Sequence, residues 1–312
     1  MNTPGVVFLM GPTASGKTGL AVELVQRLNA DIVSVDSAMV YRGLDIGAAK
    51  PDAATLAIAP HRLIDIRDPA QAYSAADFCR DARAEIEAIH AAGRLPLLVG
   101  GTSLYFNALE HGLSPLPPAD ANVRAAIEQQ ARSDGWAALH ARLMAIDAQA
   151  GSRIHPNDAQ RIQRALEIHA LTGQSPSALY AGRDKSRLPW PLLKLAVAPP
   201  DRCTLHTRIE ARFRDMMRCG LYAEVEKLYG RPDLNETLPA VRAVGYRQLW
   251  QVLAGRWSLQ HGVERAIIAS RQLAKRQLTW LRRDGDIHWL SSDEVNLERY
   301  AFERVERWQQ AL

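Results

Sequence analysis

The sequence predicts an α/β protein: a P-loop NTPase-like parallel sheet flanked by helices, with an inserted all-helical domain. Three observations carry that expectation. Short apolar runs without polar alternation, at Val6–Met10 and at residues 95–99, suit parallel strands covered on both faces. Such runs alternate with segments of helical length, the pattern of βαβ units. Between residue 119 and about residue 180 the strand pattern stops and only helical periodicity remains.

In chain order, Val6–Met10 breaks at Gly11 and leads through Pro12-Thr13-Ala14-Ser15-Gly16 to Lys17-Thr18. Gly11, Gly16, Lys17 and Thr18 satisfy G-x-x-x-x-G-K-[ST], and residues 18–28 carry Leu20, Val22, Leu24, Val25 and Leu28 at helical spacing. In this strand–loop–helix context the backbone N–H groups curl around a phosphate at the positive end of the helix. Lys17 adds a full charge, and Thr18 is the candidate ligand of a magnesium ion bridging the phosphates. Residues 31–35 read as a second strand with Asp36-Ser37 at its C-terminal end, the edge where open parallel sheets hold ligands. Asp36 is therefore expected to face the same space as Lys17. Residues 41–51, rich in glycine and charge and closed by Pro51, read as a loop. A short strand follows at 61–66, then a helix at 74–91 with Ser74 as N-cap and Asp77 in its first turn. The strand at 95–99 runs into Gly100-Gly101-Thr102-Ser103-Leu104-Tyr105.

The proline-rich segment 114–118 marks a boundary, beyond which helices are expected at 122–133, 135–146 and 157–172, the last stopping at Gly173. Pro189-Trp190-Pro191 marks the second boundary. Leu192–Ala198 returns to a buried strand, followed by Asp201 and a long helix from Leu205 through Arg218. The expected domains are thus residues 1–114 with 190–312, and the insertion 115–189. The last third reads as helical to about Arg283, with a short strand at 286–290. Charge there is one-sided: residues 240–283 hold nine basic side chains, Arg242, Arg247, Arg256, Arg265, Arg271, Lys275, Arg276, Arg282 and Arg283, against Glu264 alone. Tyr246, Trp250, Trp257 and Trp280 are interleaved with them. The insertion, with nine basic and seven acidic residues, is nearly balanced.

Composition narrows the classes. A net charge of +4 permits a polyanionic partner without identifying one. No basic leader region precedes the first apolar run and no stretch approaches the ~20 apolar residues a bilayer span needs, so a soluble cytoplasmic protein with no membrane partner is expected. Cys79, Cys203 and Cys219 are widely spaced and form no C-x-x-C pair, which argues against a disulfide framework or zinc site.

Two questions decide the chemistry. Hydrolytic P-loop enzymes place a magnesium-binding Asp at the end of a later strand, yet the strand at 95–99 ends in Gly100-Gly101-Thr102. Asp36 is the available acid. It suits a general base acting on an acceptor opposite the phosphate loop, or else a helix cap or indirect magnesium ligand. The tract at 240–283 has the footprint of nucleic-acid binding, with cations for phosphates and rings for unpaired bases; its alternative is a solvated helix face with core tryptophans. Gln160-Arg161-Ile162-Gln163-Arg164 puts Arg161 and Arg164 one turn apart, which suits RNA contact and a plain surface helix equally.

Taken together, Gly11–Thr18, Asp36-Ser37, Tyr41-Arg42-Gly43-Leu44-Asp45-Ile46-Gly47, Lys50-Pro51, residues 99–105, 160–166 and 208–213, Ala243-Val244-Gly245-Tyr246-Arg247, and Arg271-Gln272-Leu273-Ala274-Lys275-Arg276-Gln277 with Trp280-Leu281-Arg282 resemble the bacterial tRNA dimethylallyltransferase (tRNA isopentenyltransferase) family. The resemblance runs from Gly11 to about Trp289. It implies transfer of a dimethylallyl group from dimethylallyl diphosphate to N6 of the adenine 3′-adjacent to the tRNA anticodon, with release of diphosphate. The loop would then cradle a diphosphate leaving group rather than serve ATP hydrolysis. Carried over by residue, Thr13–Thr18 would bind that diphosphate, with Lys17 and magnesium on Thr18 stabilising its charge, and Asp36 would accept the adenine proton. Asp36, Ser37, Ala38 and Met39 would border the adenine; some relatives have Gln where this chain has Met39. Thr102 would lie at the junction of donor and tRNA, and Arg124 would contact tRNA. Arg212 is the candidate second diphosphate cation, with Arg208 as its alternative. Gln160–Arg164 and Arg242–Arg247 would meet the anticodon stem-loop, and a monomer is expected. Three other readings stay open: a P-loop small-molecule kinase, an adenine-nucleotide isopentenyltransferase, and a non-catalytic RNA-binding P-loop protein.

Overall fold

A computed structural model describes residues 4–181 and 187–312. In chain order the elements are β1 (Val6–Met10), α1 (Lys17–Arg27), β2 (Ala30–Val35), α2 (Ala53–Ile58), β3 (His61–Arg62), α3 (Ala75–Ala91), β4 (Leu95–Gly100) and α4 (Ser103–His111). There follow α5 (Ala121–Ile146), α6 (Ala148–Arg153), α7 (Ala159–Thr172), α8 (Pro176–Ala181), β5 (Leu192–Ala198), α9 (Arg202–Arg218) and α10 (Leu221–Tyr229). The chain closes with α11 (Tyr246–Leu253), α12 (Leu259–Leu281), β6 (His288–Ser291) and α13 (Leu297–Gln310).

All strands pair in parallel, in the order β3-β2-β4-β1-β5-β6. Side chains alternate faces, so Val7 and Leu9 of β1 pack toward α1 and α13, while Val6, Phe8 and Met10 pack into a second core with α3, α4 and α9–α12. Both faces are covered, which is why β1 and β4 are buried along their whole length. From β1 the chain leaves for β2 on one side, and from β4 it leaves for β5 on the other, so neighbouring β1 and β4 form the topological switch point. Ligands of open parallel sheets bind outside the carboxyl ends of strands at such a point. Val35, Gly100, Met10 and Ala196 stand in one row across β2, β4, β1 and β5. The residues that follow the first three, Asp36, Gly101 and Gly11, therefore share one sheet edge.

The chain divides into two compact units, residues 1–109 with 188–312, and residues 110–187. The second unit is helical with its own core, in which Ile127, Leu139 and Leu143 of α5 meet Ile162, Ala165 and Leu166 of α7. Arg183 and Lys185, counted above in the insertion's charge, lie outside the described residues.

Three local expectations change. The strand expected at 61–66 ends at Arg62, because Leu63 and Asp65 adopt left-handed backbone conformations at φ 62 and 58 that no strand accommodates. By contrast, the two helices expected at 122–133 and 135–146 are both present: α5 is two helices meeting in a kink at Gly135, where φ 82 and ψ 156 leave the helical region. The last third is not continuously helical: residues 231–245 run as turns between α10 and α11. Beyond the edge strand, α13 adds a helix with Leu297, Ala301 and Val305 at four-residue spacing on its buried side.

Candidate active site

The loop from Gly11 to Gly16 closes tightly. A Cβ on Gly11 would strike the Val197 carbonyl and lie 2.7 Å from Ser15 Oγ, so only glycine fits there. Ala14 at φ 63 and Gly16 at φ 88 turn the backbone into α1, whose first turn carries no acidic residue and whose N-cap supplies no side-chain hydrogen bond. Its leading N–H groups thus stay available to an anion. Ser15 Oγ is buried with no hydrogen-bond partner among the described residues.

Lys17 Nζ donates to the Pro12 carbonyl at 3.3 Å. Its pKa is lowered to about 8, by burial first and by the Arg212 charge second, with the Asp36 carboxylate acting in the opposite sense. Arg212, on α9, is itself lowered by burial and raised by Asp36. Lys17, Arg212 and Asp36 therefore lie within electrostatic reach of one another. No hydrogen bond or ion pair to Arg212 is found among the described residues. Arg208, one turn earlier, donates to Ser292 Oγ at 2.7 Å and pairs with Asp293 at 2.5 Å. The structure thus separates the two candidate cations: Arg208 holds the C-terminal segment, and Arg212 faces the loop lysine.

Asp36 Oδ1 accepts from the backbone N–H groups of Ala38, at 2.8 Å, and Met39, at 3.3 Å. That turn fixes the carboxylate and occupies one oxygen; no helix starts here, so Asp36 closes a turn rather than capping a helix, and this coexists with its place opposite Lys17. The Ser37 N–H donates to Thr102 Oγ1 at 3.1 Å, joining the ends of β2 and β4. Met39 turns back into the protein, its Sδ accepting from Ser34 Oγ at 3.6 Å. Gly100 is required by that same junction, since a Cβ there would strike the Val35 carbonyl.

Sequence reasoning missed the supports of this edge. Gln277 of α12, only 8% exposed, accepts from Thr13 N–H at 2.9 Å and donates to the Gly101 carbonyl at 2.9 Å. A polar residue at core spacing among Ala266, Ala274 and Leu281 was the available signal. Glu224 of α10 accepts from the N–H groups of Asp45, Ile46 and Gly47 and from Tyr246 Oη, which in turn accepts from Ala48 N–H. Lys50 Nζ donates to the Tyr41 carbonyl at 2.7 Å and pairs with Asp45 and Asp65. A cavity of about 510 Å³ lies beside this loop, lined by Ile46, Ala49, Lys50, Leu56, Met216 and Arg212 among others.

The candidate RNA-contacting residues divide by burial. Arg242 and Arg247 are exposed around Ala243, Val244 and Gly245, but Tyr246 is 1% exposed and holds Glu224, so its ring cannot stack on a base. Trp250 is likewise buried, against Tyr229. Arg256 and Arg271 pair with Glu236 and Glu210, acids outside the tract that a local charge count leaves out. In the helical unit, Gln160 and Arg161 are exposed, whereas Ile162 is fully buried and offers no side chain to a partner. Gln163 bonds Glu128 at 2.9 Å. Arg124 and Arg164 both bind Glu167, a carboxylate with no exposed surface that also accepts from Asp120 N–H. Burial alone would raise the Glu167 pKa, but the hydrogen bonds from Arg124, Arg164 and Asp120 hold it below the usual range.

Comparison with known proteins places this arrangement. The sequence model of the family described as IPP transferase matches residues 39–284. A tRNA dimethylallyltransferase of Thioalkalivibrio sulfidiphilus is 60% identical over 294 residues, covering 94% of this chain and 92% of that protein. One from Alkalilimnicola ehrlichii is 59% identical over 295 residues, with the same coverage, 94% and 92%. Among solved structures, the full-length tRNA isopentenylpyrophosphate transferase of Bacillus halodurans superposes with a TM-score of 0.73 at 37% identity, covering 98% of this chain and 97% of its own. A eukaryotic dimethylallyltransferase acting on tRNA superposes with a TM-score of 0.78 at 25% identity, over 98% of this chain and 78% of its own. Matched by that family model over residues 39–284 and by these relatives over 94% of its length, the chain belongs to the IPP transferase family.

Proposed function

We propose that this chain is a tRNA dimethylallyltransferase, moving the dimethylallyl group of dimethylallyl diphosphate to N6 of the adenine 3′-adjacent to the anticodon. One observation carries the reading: a fixed carboxylate, Asp36, stands across the switch point from a phosphate loop that presents Lys17, with Arg212 of α9 in electrostatic reach of both. Adenine N6 is a weak nucleophile, because its lone pair is delocalised into the ring. As N6 attacks the allylic carbon, the N–C bond forms, the C–O bond to diphosphate breaks with its electron pair, and the N6 proton passes to the free oxygen of Asp36. Lys17, Arg212 and the N–H groups leading α1 stabilise the charge that grows on the departing diphosphate.

Magnesium fits this site. No cluster of three or more His, Cys, Asp or Glu able to hold a metal occurs among the described residues, and an ion that keeps its waters and binds through substrate phosphates needs none. The Thr18 hydroxyl, in the first turn of α1, is the residue that would hold it, and the ion would add positive charge beside the leaving group. The adenine must leave the anticodon loop stack to reach Asp36. The exposed Arg242, Arg247, Gln160 and Arg161 are the candidates to hold that loop, with Ser37, Ala38 and Thr102 at the adenine. Two stated expectations, a monomer and a cytoplasmic location, belong to the same proposal. No helix among the described residues is long and apolar enough to cross a membrane.

The test is incubation of purified protein with magnesium, radiolabelled dimethylallyl diphosphate and unmodified tRNA, with AMP and ATP as alternative acceptors. Label in tRNA at the adenine beside the anticodon supports the proposal. Label in AMP alone, or none in tRNA, overturns it, and phosphate transfer from ATP to a small molecule would point to a kinase.

A further inference from the structure

We infer that Gln277 is a positioning residue that sets the spacing between the phosphate loop and the acceptor edge of the sheet, an inference that rests on the reaction proposed above. Among the described residues its side chain is the one group that bonds both sides. Oε1 accepts from Thr13 N–H in the phosphate loop at 2.9 Å, and Nε2 donates to the Gly101 carbonyl, one residue before Thr102, at 2.9 Å. The orientation of the amide is dictated by its partners, because a backbone N–H only donates and a carbonyl only accepts.

Two features show that the site is built around this amide. A Cβ on Gly101 would strike Gln277 Nε2 and would lie 3.2 Å from the Gly11 carbonyl, so the glycine exists to let the amide close between the two loops. Ala14 of the phosphate loop packs against the small core cluster of Leu205 and Ile209 of α9 with Ala274, one turn before Gln277. The amide is thus backed by packed helix rather than by solvent. Through Gly101 the constraint reaches Thr102, which holds the Ser37 N–H next to Asp36. One side chain therefore fixes the gap that nucleophile and allylic carbon must span. Since a displacement of about 1 Å in a reacting pair can cost roughly 100-fold in rate, loss of this bridge acts on turnover more than on either affinity.

The experiment compares the wild-type chain with Gln277→Met and Gln277→Glu, measuring kcat, KM for dimethylallyl diphosphate and for tRNA, and pyrophosphate affinity, between pH 6 and pH 9. Gln277→Met keeps the shape and removes both bonds; kcat falls about 10- to 100-fold, while both KM values and the pyrophosphate Kd stay within about threefold. Gln277→Glu keeps the acceptor for Thr13 but sets a carboxylate oxygen against the Gly101 carbonyl. On protonation its O–H donates there again, so the rate relative to wild type rises as pH falls. A merely structural role would not produce that recovery, and this variant carries the test should Gln277→Met fold poorly. A kcat within threefold of wild type for a folded Gln277→Met, or a pH-independent ratio for Gln277→Glu, overturns the inference. Active wild type with indifferent variants sinks the role of Gln277 alone; wild type that never prenylates tRNA sinks the proposed reaction and this inference with it.

Discussion

Lys17 shows how the site is held charged at a cost to the fold. Its ammonium sits beside Arg212 in a partly desolvated loop, which lowers its pKa from 10.5 to about 8. The sign follows directly: the unfolded chain binds the proton up to its higher pKa and the folded chain releases it earlier, so this group makes the protein more stable as pH rises between the two values. An anion in the loop reverses the shift. Donor affinity should therefore fall as pH rises through about 8, where the free enzyme loses the Lys17 proton. Calorimetric titration with dimethylallyl diphosphate from pH 7 to pH 9.5 checks this, and Lys17→Met should bind weakly with no slope in that window. For Asp36 the expectation is different in kind. Asp36→Ala removes the proton acceptor and one turn-forming oxygen but no cation, so kcat should drop by about 10²–10⁴ with tRNA affinity nearly unchanged. Single-turnover rates alongside filter-binding affinities test it, and near-normal turnover would remove Asp36 from the role of base.

At the scale of elements, what could be read in the sequence follows from how local its cause is. β1, β5 and the capping box of α3 were legible because apolar runs and a Ser-x-x-Asp cap act within a few residues. The phosphate loop was legible for the same reason. The 45–48 segment was legible as loop, but its main anchor was not, since beyond the local bonds to Ala49 and Lys50 it is held from far along the chain. Its amides converge on Glu224, some 180 residues later, and Gly47 is demanded by the Tyr246 ring, which would lie 2.6 Å from a Cβ. Reading Tyr246 as a base-stacking ring failed on the same ground: an aromatic among arginines looks like an RNA contact until the partner of its hydroxyl is known. Burial and the Glu224 charge push the Tyr246 pKa far up, so the phenol stays a donor throughout. Glu224→Gln would turn amide protons toward backbone N–H groups and should cost about 2–3 kcal/mol, against about 1 for Tyr246→Phe. Denaturant unfolding gives the cost, and amide hydrogen exchange should show protection lost at residues 45–47 in Glu224→Gln.

For the whole molecule, charge that serves the fold must be separated from charge left for a polyanion. Arg124 and Arg164 were candidate tRNA contacts, yet both close on Glu167, whose carboxylate is wholly buried in a unit with its own core. Removing Arg124 leaves the buried carboxylate with Arg164 and the Asp120 N–H, so the loss is that of charge-assisted hydrogen bonds, about 1.5–3 kcal/mol. Arg124→Ala should therefore lower the melting temperature and loosen the helical unit, and any loss of tRNA affinity would follow from that. Arg161 is 73% exposed, with its carboxylate partner Asp158 at 3.5 Å, so Arg161→Ala should leave stability within about 0.5 kcal/mol. If Arg161 meets a phosphate, the variant weakens tRNA binding at low salt and flattens the plot of log K against log salt by roughly 0.7–0.9. The discriminating measurement is affinity at several salt concentrations beside thermal unfolding. A contact residue changes the salt slope and not the melting temperature; a scaffold residue changes the melting temperature, and its affinity loss persists in high salt. Arg161 and Arg124 should fall on opposite sides of that division, and pyrophosphate binding, which belongs to the unit with the phosphate loop, should be unchanged in both.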